Sequence, residues 1–274
     1  VPACPQCSDT DTPRPKFVTP NNTLYTLPQL IEDVLINSAC ANASNFTWSA
    51  GSNPGNYSTA YFHRNNSTFP IKDGVVITSG NVTGIQGPNN NVLGNGTGWA
   101  GDPDVNTAVG ITNSTDAAFV KFNFTPLTDN FSFNFLFASE EYNAGSFECT
   151  FSDVFAFILT DLTTNAVVNL AVLPGTTTPI LVTNVHPDNG SCDAINEQYF
   201  GQYNLAPNAT TAPINFNGQT VVMSAQSIVV PGRQYSIKLV VANASDHNYN
   251  SAVFLEAGSF NIGQANIGDD LTIV

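Results

Sequence analysis

The sequence is short of charge, and of basic residues above all. Charged side chains make up 10% of its 274 residues, and 7 Lys and Arg stand against 21 Asp and Glu, for a net charge of −14. An average soluble protein carries roughly 25% charged residues. Phosphate backbones and anionic headgroups are recognised by clustered Lys and Arg, so nucleic acid and acidic membrane surfaces are excluded as partners. No apolar run approaches the ~20 residues of a membrane span, so no membrane insertion is expected. Hydrolase signatures are missing too. There is no Gly-x-Ser-x-Gly elbow and no His-Glu-x-x-His pair, and His63, His186 and His247 lie apart in polar segments that read as surface loops. No initiator Met or leader precedes Val1, which reads as a mature exported chain whose signal peptide has been removed.

What is present is apolar residue in quantity, at 42%, with Asn, Ser and Thr supplying the polarity. Residues 1–25 read as an extended leader rich in proline with two cysteines, and residues 26–263 as one β domain. Residues 264–274 form a short tail that could be an exchanged strand. Helical spacing appears over 26–36. Thr26-Leu-Pro-Gln29 fits a capping box, and Leu27, Leu30, Ile31, Val34 and Leu35 share one face. From residue 45 on, strand and loop alternate. The strongest period-2 signals are Val120, Phe122 and Phe124, then Phe131, Phe133, Phe135 and Phe137. The turn at 126–129 between them predicts a hairpin. Further strands are expected at 74–81, 153–161, 166–173, 180–185, 220–230, 234–242 and 252–262, with long loops at 51–70 and 84–116. The fold expected is all-β: an antiparallel, jelly-roll-like β-sandwich with one short N-terminal helix packed on it.

Five cysteines, Cys4, Cys7, Cys40, Cys149 and Cys192, suit disulfides in an exported chain, and the odd count leaves one free or paired between chains. Asn-x-Ser/Thr sequons start at Asn21, Asn42, Asn45, Asn56, Asn65, Asn66, Asn81, Asn95, Asn113, Asn123, Asn130, Asn189, Asn208 and Asn243. These 14 exceed the about 6 expected from composition for such a motif. Glycosylation and strand faces built from Asn and Thr both account for the excess.

Oxygen-bearing side chains recur at positions suited to a metal. Asp102-Pro-Asp104-Val-Asn106 places three at alternate residues, like the opening of a calcium loop, although Asn113 stands where an EF-hand has its last Glu. Glu140, Glu141, Asp153 and Asp246 add carboxylates further on. Asp and Asn also make Asx turns and loop caps, and the sequence leaves both roles open. Glu140 and Glu141 cannot form a glycosidase pair with each other, because adjacent strand residues point to opposite faces. Gly94-Asn-Gly-Thr-Gly98 lacks the flanking strand, helix and Lys of a phosphate loop.

Several blocks, in this order, resemble the choice-of-anchor L family of bacterial extracellular proteins. They are Phe137-Ala-Ser-Glu-Glu-Tyr142, Phe151-Ser-Asp-Val-Phe-Ala-Phe157, Ala171-Val-Leu-Pro-Gly175, Tyr235-Ser-Ile-Lys-Leu239 and Ser251-Ala-Val-Phe-Leu-Glu-Ala-Gly-Ser259. The helix near residue 30 and Gly101-Asp-Pro-Asp104 also match in position. The resemblance implies a secreted or cell-surface domain found ahead of varied C-terminal anchors, with no established catalysis. It implies no certain ligand, but it offers the carboxylates of Asp102, Asp104, Glu140, Glu141, Asp153 and Asp246 for a metal site, and the calcium-loop spacing of Asp102, Asp104 and Asn106 makes Ca²⁺ the cofactor to expect there. Asn250 departs from an Asp usual in the family, which puts a ligand role there in doubt. No sorting sequence is visible at the end of the chain, where the family would carry its anchor.

The leading expectation is therefore a non-catalytic structural or adhesive subunit. It would polymerise with itself, or bind other surface proteins and glycans, by strand addition and an inter-chain disulfide. The alternative is a calcium-dependent carbohydrate-binding module using Trp48, Trp99, Tyr57 and Tyr61. A glycan hydrolase is the third reading.

Overall fold

The computed structural model describes residues 16–36, 43–50, 57–94 and 98–263. The leader's first 15 residues, the 264–274 tail, Cys4, Cys7, Cys40, Asn42, Asn56 and Asn95 lie outside them. Two antiparallel sheets face each other, so the chain is an all-β antiparallel sandwich. The first sheet contains β1 (Thr19–Asn21), β3 (Thr59–His63), β4 (Asp73–Thr78), β6 (Asn130–Ser139), β9 (Phe200–Tyr203), β10 (Gly218–Thr220), β11 (Met223–Ile228) and β13 (Ser251–Glu256). Its order is β1-β3-β4-β13-β6-β10-β9, with β11 also paired to β6. The second sheet runs β2-β5-β12-β7-β8. Its strands are β2 (Ala43–Ala50), β5 (Ser114–Phe124), β7 (Val154–Asp161), β8 (Val167–Asn169) and β12 (Tyr235–Ala244).

The Phe-rich strands do not form the hairpin that their spacing suggests. β5 pairs with β2 and β12, whereas β6 pairs with β13, β10 and β11. The turn after Phe124 carries the chain from one sheet to the other. The alternation that makes each strand amphipathic turns both Phe rows inward, so they meet across the interior instead of side by side. Phe124 packs on Phe131 at 4.9 Å between ring centroids, Phe133 on Phe157 at 5.0 Å, and Phe137 on Phe155 at 4.6 Å. Each buried ring removes apolar area from water worth ~1.5–3 kcal/mol.

The outer faces are covered as well, which the two-sided alternation does not announce. On the first sheet, Phe62, Val76, Leu136, Ala138 and Phe254 pack under Phe69, Ile71, Val82, Ile85, Ile214 and Phe216 from the loops. On the second, Ala156, Ile158, Val240 and Ala242 join Val105 of α2 (Pro103–Val109). This helix lies inside a stretch that reads as loop. Asp102 caps it through the Asp104 and Val105 N–H groups, Pro103 opens it, and Gly110 ends it at φ 78°, a left-handed turn that suits glycine.

The N-terminal helix begins as its sequence implies. The Thr26–Gln29 capping box is formed, and α1 (Leu27–Gln29) continues as a π-helix, Leu30–Ile36. Its apolar face enters the main core. The N–H groups of Gly258 and Phe260 donate to the Val34 and Leu35 carbonyls, tying that end to the segment after β13. Elsewhere the strand boundaries move. Expected strand 180–185 contains a 3₁₀ turn at Val182–Asn184, expected strand 220–230 resolves into β10 and β11, and β3 lies within the expected 51–70 loop.

Candidate functional site

The inward row of six strands changes character at one end of the sandwich. Along β6 the row runs Phe131, Phe133, Phe135, Phe137 and then Ser139. β12 runs Tyr235, Ile237, Leu239, Val241 and then Asn243, and β13 begins at Ser251 before Val253 and Leu255. Asp153 precedes Phe155 of β7, Asp116 precedes Ala118 of β5, and Ser79 follows Ile77 of β4. Pairing registers place these residues together, since Ser251 lies opposite Ser139 and Ala242 opposite Val154. Apolar packing thus gives way to a buried polar layer roofed by the loop 245–250.

That layer is bonded across both sheets. Ser251 Oγ lies 2.8 Å from Ser139 Oγ and donates to Asp153 Oδ2 at 2.7 Å. Asp153 Oδ1 accepts the Ala244 N–H at 3.2 Å, while the Asp153 N–H donates to Glu141 Oε2 at 2.5 Å. Asp116, wholly buried, accepts the Trp99 N–H on one oxygen and bonds His247 Nδ1 at 2.9 Å with the other. His247 packs closely against Gly98, where a Cβ would meet its Nδ1 at 1.8 Å. No Lys or Arg ion-pairs with Glu141 or Asp153 among the described residues. Burial pushes both carboxyls well above their ordinary range, and the nearby Asp246 carboxylate pushes them further.

The residues singled out from the sequence fall into three places. Asp102 and Asp104 sit on the outer face of the second sheet, where both take the Lys238 ammonium, at 2.5 Å and 2.8 Å. Lys238 itself is buried and lies 4.4 Å over the Phe119 ring. The oxygens at alternate positions therefore surround a side-chain cation of the chain's own. Asn106 turns away to accept the Ser114 N–H. Glu140 points to the opposite side of the first sheet from Glu141. There Oε1 accepts the Leu93 N–H, Oε2 is buried without a partner among the described residues, and burial raises the carboxyl to about 8. Glu141, Asp153 and Asp246 share the polar end. Among the described residues, no three His, Cys, Asp or Glu side chains already stand grouped to hold a metal. Asp116, Asn243, Ser139 and Ser251 belong to this layer and were missed. The signal was available: each ends an inward apolar row with a polar residue.

Cys149 and Cys192 form a disulfide within the chain, across a separation of 43 residues. His186 is buried beside it and is not a surface residue. Among the sequons, Asn45, Asn66, Asn81, Asn113, Asn130 and Asn208 are exposed. Asn21, Asn65, Asn123 and Asn189 are half-buried, and Asn243 is fully buried in the polar layer, where a glycan has no room. Trp99 donates its Nε1–H to the Ala117 carbonyl and packs edge-on against Tyr57, and Tyr61 packs on Tyr25. Trp48 is partly exposed in a groove with Tyr25, Thr26 and Leu30.

Fold and polar end define an all-β sandwich domain with a structured interior site. The chain belongs to the Choice-of-anchor L domain family, whose family model matches residues 18–261. It is accordingly an extracellular or surface-anchored protein. Among the described residues no helix is long and apolar enough to cross a membrane. No curated protein and no solved structure matches the chain.

Proposed function

We propose that this chain is a non-catalytic structural or adhesive subunit of the cell surface that joins a second copy of itself by strand addition. The observation that carries the reading is β11. It pairs with β6 on one side, and its outer edge has no strand partner among the described residues. Unpaired N–H and C=O groups along such an edge template another strand. The exposed side chains of β11 are uncharged where natural edges are usually charged: they are Ser224, Gln226 and Ile228, the last 85% exposed, and Val222 and Val230 flank the strand at 37% and 46%. A groove lined by Asn130, Ser132, Gln226 and Ile228 runs along its outer face.

A non-catalytic role agrees with the placement of the acids. Glu141 and Asp153 are closed inside the sandwich, whereas glycoside hydrolysis needs two carboxyls flanking a substrate across ~5–10 Å. Sugar binding at the Trp48 groove is the second reading, supported by the half-exposed indole.

Ile228→Lys tests the assembly. The full chain should form linear or paired assemblies visible by electron microscopy, and the variant should disperse them with an unchanged melting temperature. A wild-type chain that stays monomeric at every concentration refutes the proposal.

A further inference from the structure

The buried polar end of the sandwich holds more acceptors than donors. Serine hydroxyls and backbone N–H groups satisfy part of Glu141 and Asp153, and among the described residues no Lys or Arg ion-pairs with either. An independent sign comes from Asn243, whose side chain is fully buried. Its Nδ2 donates to Asp116 Oδ2 and to the Asn248 carbonyl, each at 3.3 Å. Both partners are acceptors, so the amide cannot be turned round. Its Oδ1 is left buried without a donor among the described residues. Strand order fixes where that oxygen points. β12 lies between β5 and β7, and the Asn243 nitrogen is bound towards Asp116 on the β5 side. The oxygen therefore faces the β7 side, where Asp153 accepts from the neighbouring Ala244 N–H.

An unpartnered acceptor at the end of the sandwich that holds two buried carboxylates calls for a positive charge, because an orphaned buried polar atom destabilises the fold and a buried unpaired charge does so more. All the available donors to such a charge are oxygens: carboxylates, an amide and two serine hydroxyls. Oxygen-only sites with an irregular arrangement suit Ca²⁺, which accepts six to eight such ligands, better than Mg²⁺ with its strict octahedron.

We propose that the polar end is a Ca²⁺ site formed by Glu141, Asp153 and the Asn243 Oδ1, and completed by Asp246 from the exposed loop above. Three of these donors stand on or beside strand ends of the two sheets. Asp246 supplies the third negative charge when the loop 245–250 closes on the ion. The ion would join β6, β7 and β12, so that strands from both sheets share one ligand. This inference does not depend on strand addition, which is read from β11.

Calorimetric titration of the chelator-treated full chain with CaCl₂ tests it, with MgCl₂ as the comparison. One Ca²⁺ per chain is expected, bound at least tenfold more tightly than Mg²⁺. Asp246→Asn lies on an exposed loop and should leave the melting temperature in chelator unchanged, while weakening Ca²⁺ binding at least tenfold. Asp153→Asn should abolish binding. Should Asp153→Asn fail to fold, Asp246→Asn decides alone. Absence of Ca²⁺ binding, or binding that Asp246→Asn leaves intact, overturns the proposal.

Discussion

Two acidic clusters lie on opposite sides of the same sheet, and they are balanced differently. On the outer face, Asp102 and Asp104 close on Lys238, whose stem crosses Phe119. In the interior, Glu141 and Asp153 meet serines and backbone N–H groups, and in the same layer the Asn243 amide oxygen has no partner among the described residues. The first cluster is complete within the chain. Nothing of opposite charge in the described structure completes the second. A motif of alternating Asp and Asn that resembles a metal loop thus has its cation built in, while carboxylates dispersed over 106 positions of sequence, from Glu141 to Asp246, form the cluster that lacks one.

The sharpest way to break this contrast is to remove the built-in cation. Lys238→Met should destabilise the chain by about 3–5 kcal/mol in urea unfolding, because it leaves Asp102 buried without its partner. Adding Ca²⁺ should not restore that loss, since the outer cluster is shaped round an ammonium. A variant that unfolds like the wild type would show the two clusters to be equivalent.

A comparable effect reports the buried carboxyls through pH. Glu140, held at about 8 by burial, and the Glu141–Asp153 pair all keep protons in the folded chain that the unfolded chain releases near its ordinary carboxylate values. Between about pH 4.5 and pH 8 the folded state therefore binds more protons than the unfolded state, and stability falls as pH rises. Each unit of upward shift costs about 1.4 kcal/mol once both states are ionised. In chelator the melting temperature should decline from pH 5 to pH 8, and Glu140→Gln should flatten part of that decline. A melting temperature that rises over this range would mean the interior carboxylates are already neutralised.

Much of the sandwich was legible in the sequence, because period-2 runs such as Phe131–Phe137 follow from strand geometry alone. The capping box at Thr26 was legible for the same local reason. Pairing was not. Both β5 and β6 present a Phe face, and such a face fits a neighbour beside it or a sheet opposite it equally well. The choice is made by β12 and β13, more than 100 residues away, which take the places beside β5 and β6. α2 was hidden in a Gly- and Asn-rich stretch, although Asp102-Pro103 and Gly110 bracket it as cap, first turn and stop. The candidate site was half legible. Glu141, Asp153 and Asp246 stand in acidic segments that attract notice, whereas Asp116 and Asn243 are marked in the sequence only as polar ends of apolar rows, and six strand ends must meet in one layer before that mark points to a site. Asp102 and Asp104 were noticed for their spacing, and the spacing could not reveal Lys238, which arrives from β12.

The contrast between the clusters is tested most directly by crystals of the full chain soaked in Tb³⁺, a luminescent and strongly scattering stand-in for Ca²⁺. The anomalous map should show one peak among Glu141, Asp153, Asn243 and Asp246, and none between Asp102 and Asp104. A peak at the Lys238 cluster, or an interior without one, would contradict the account.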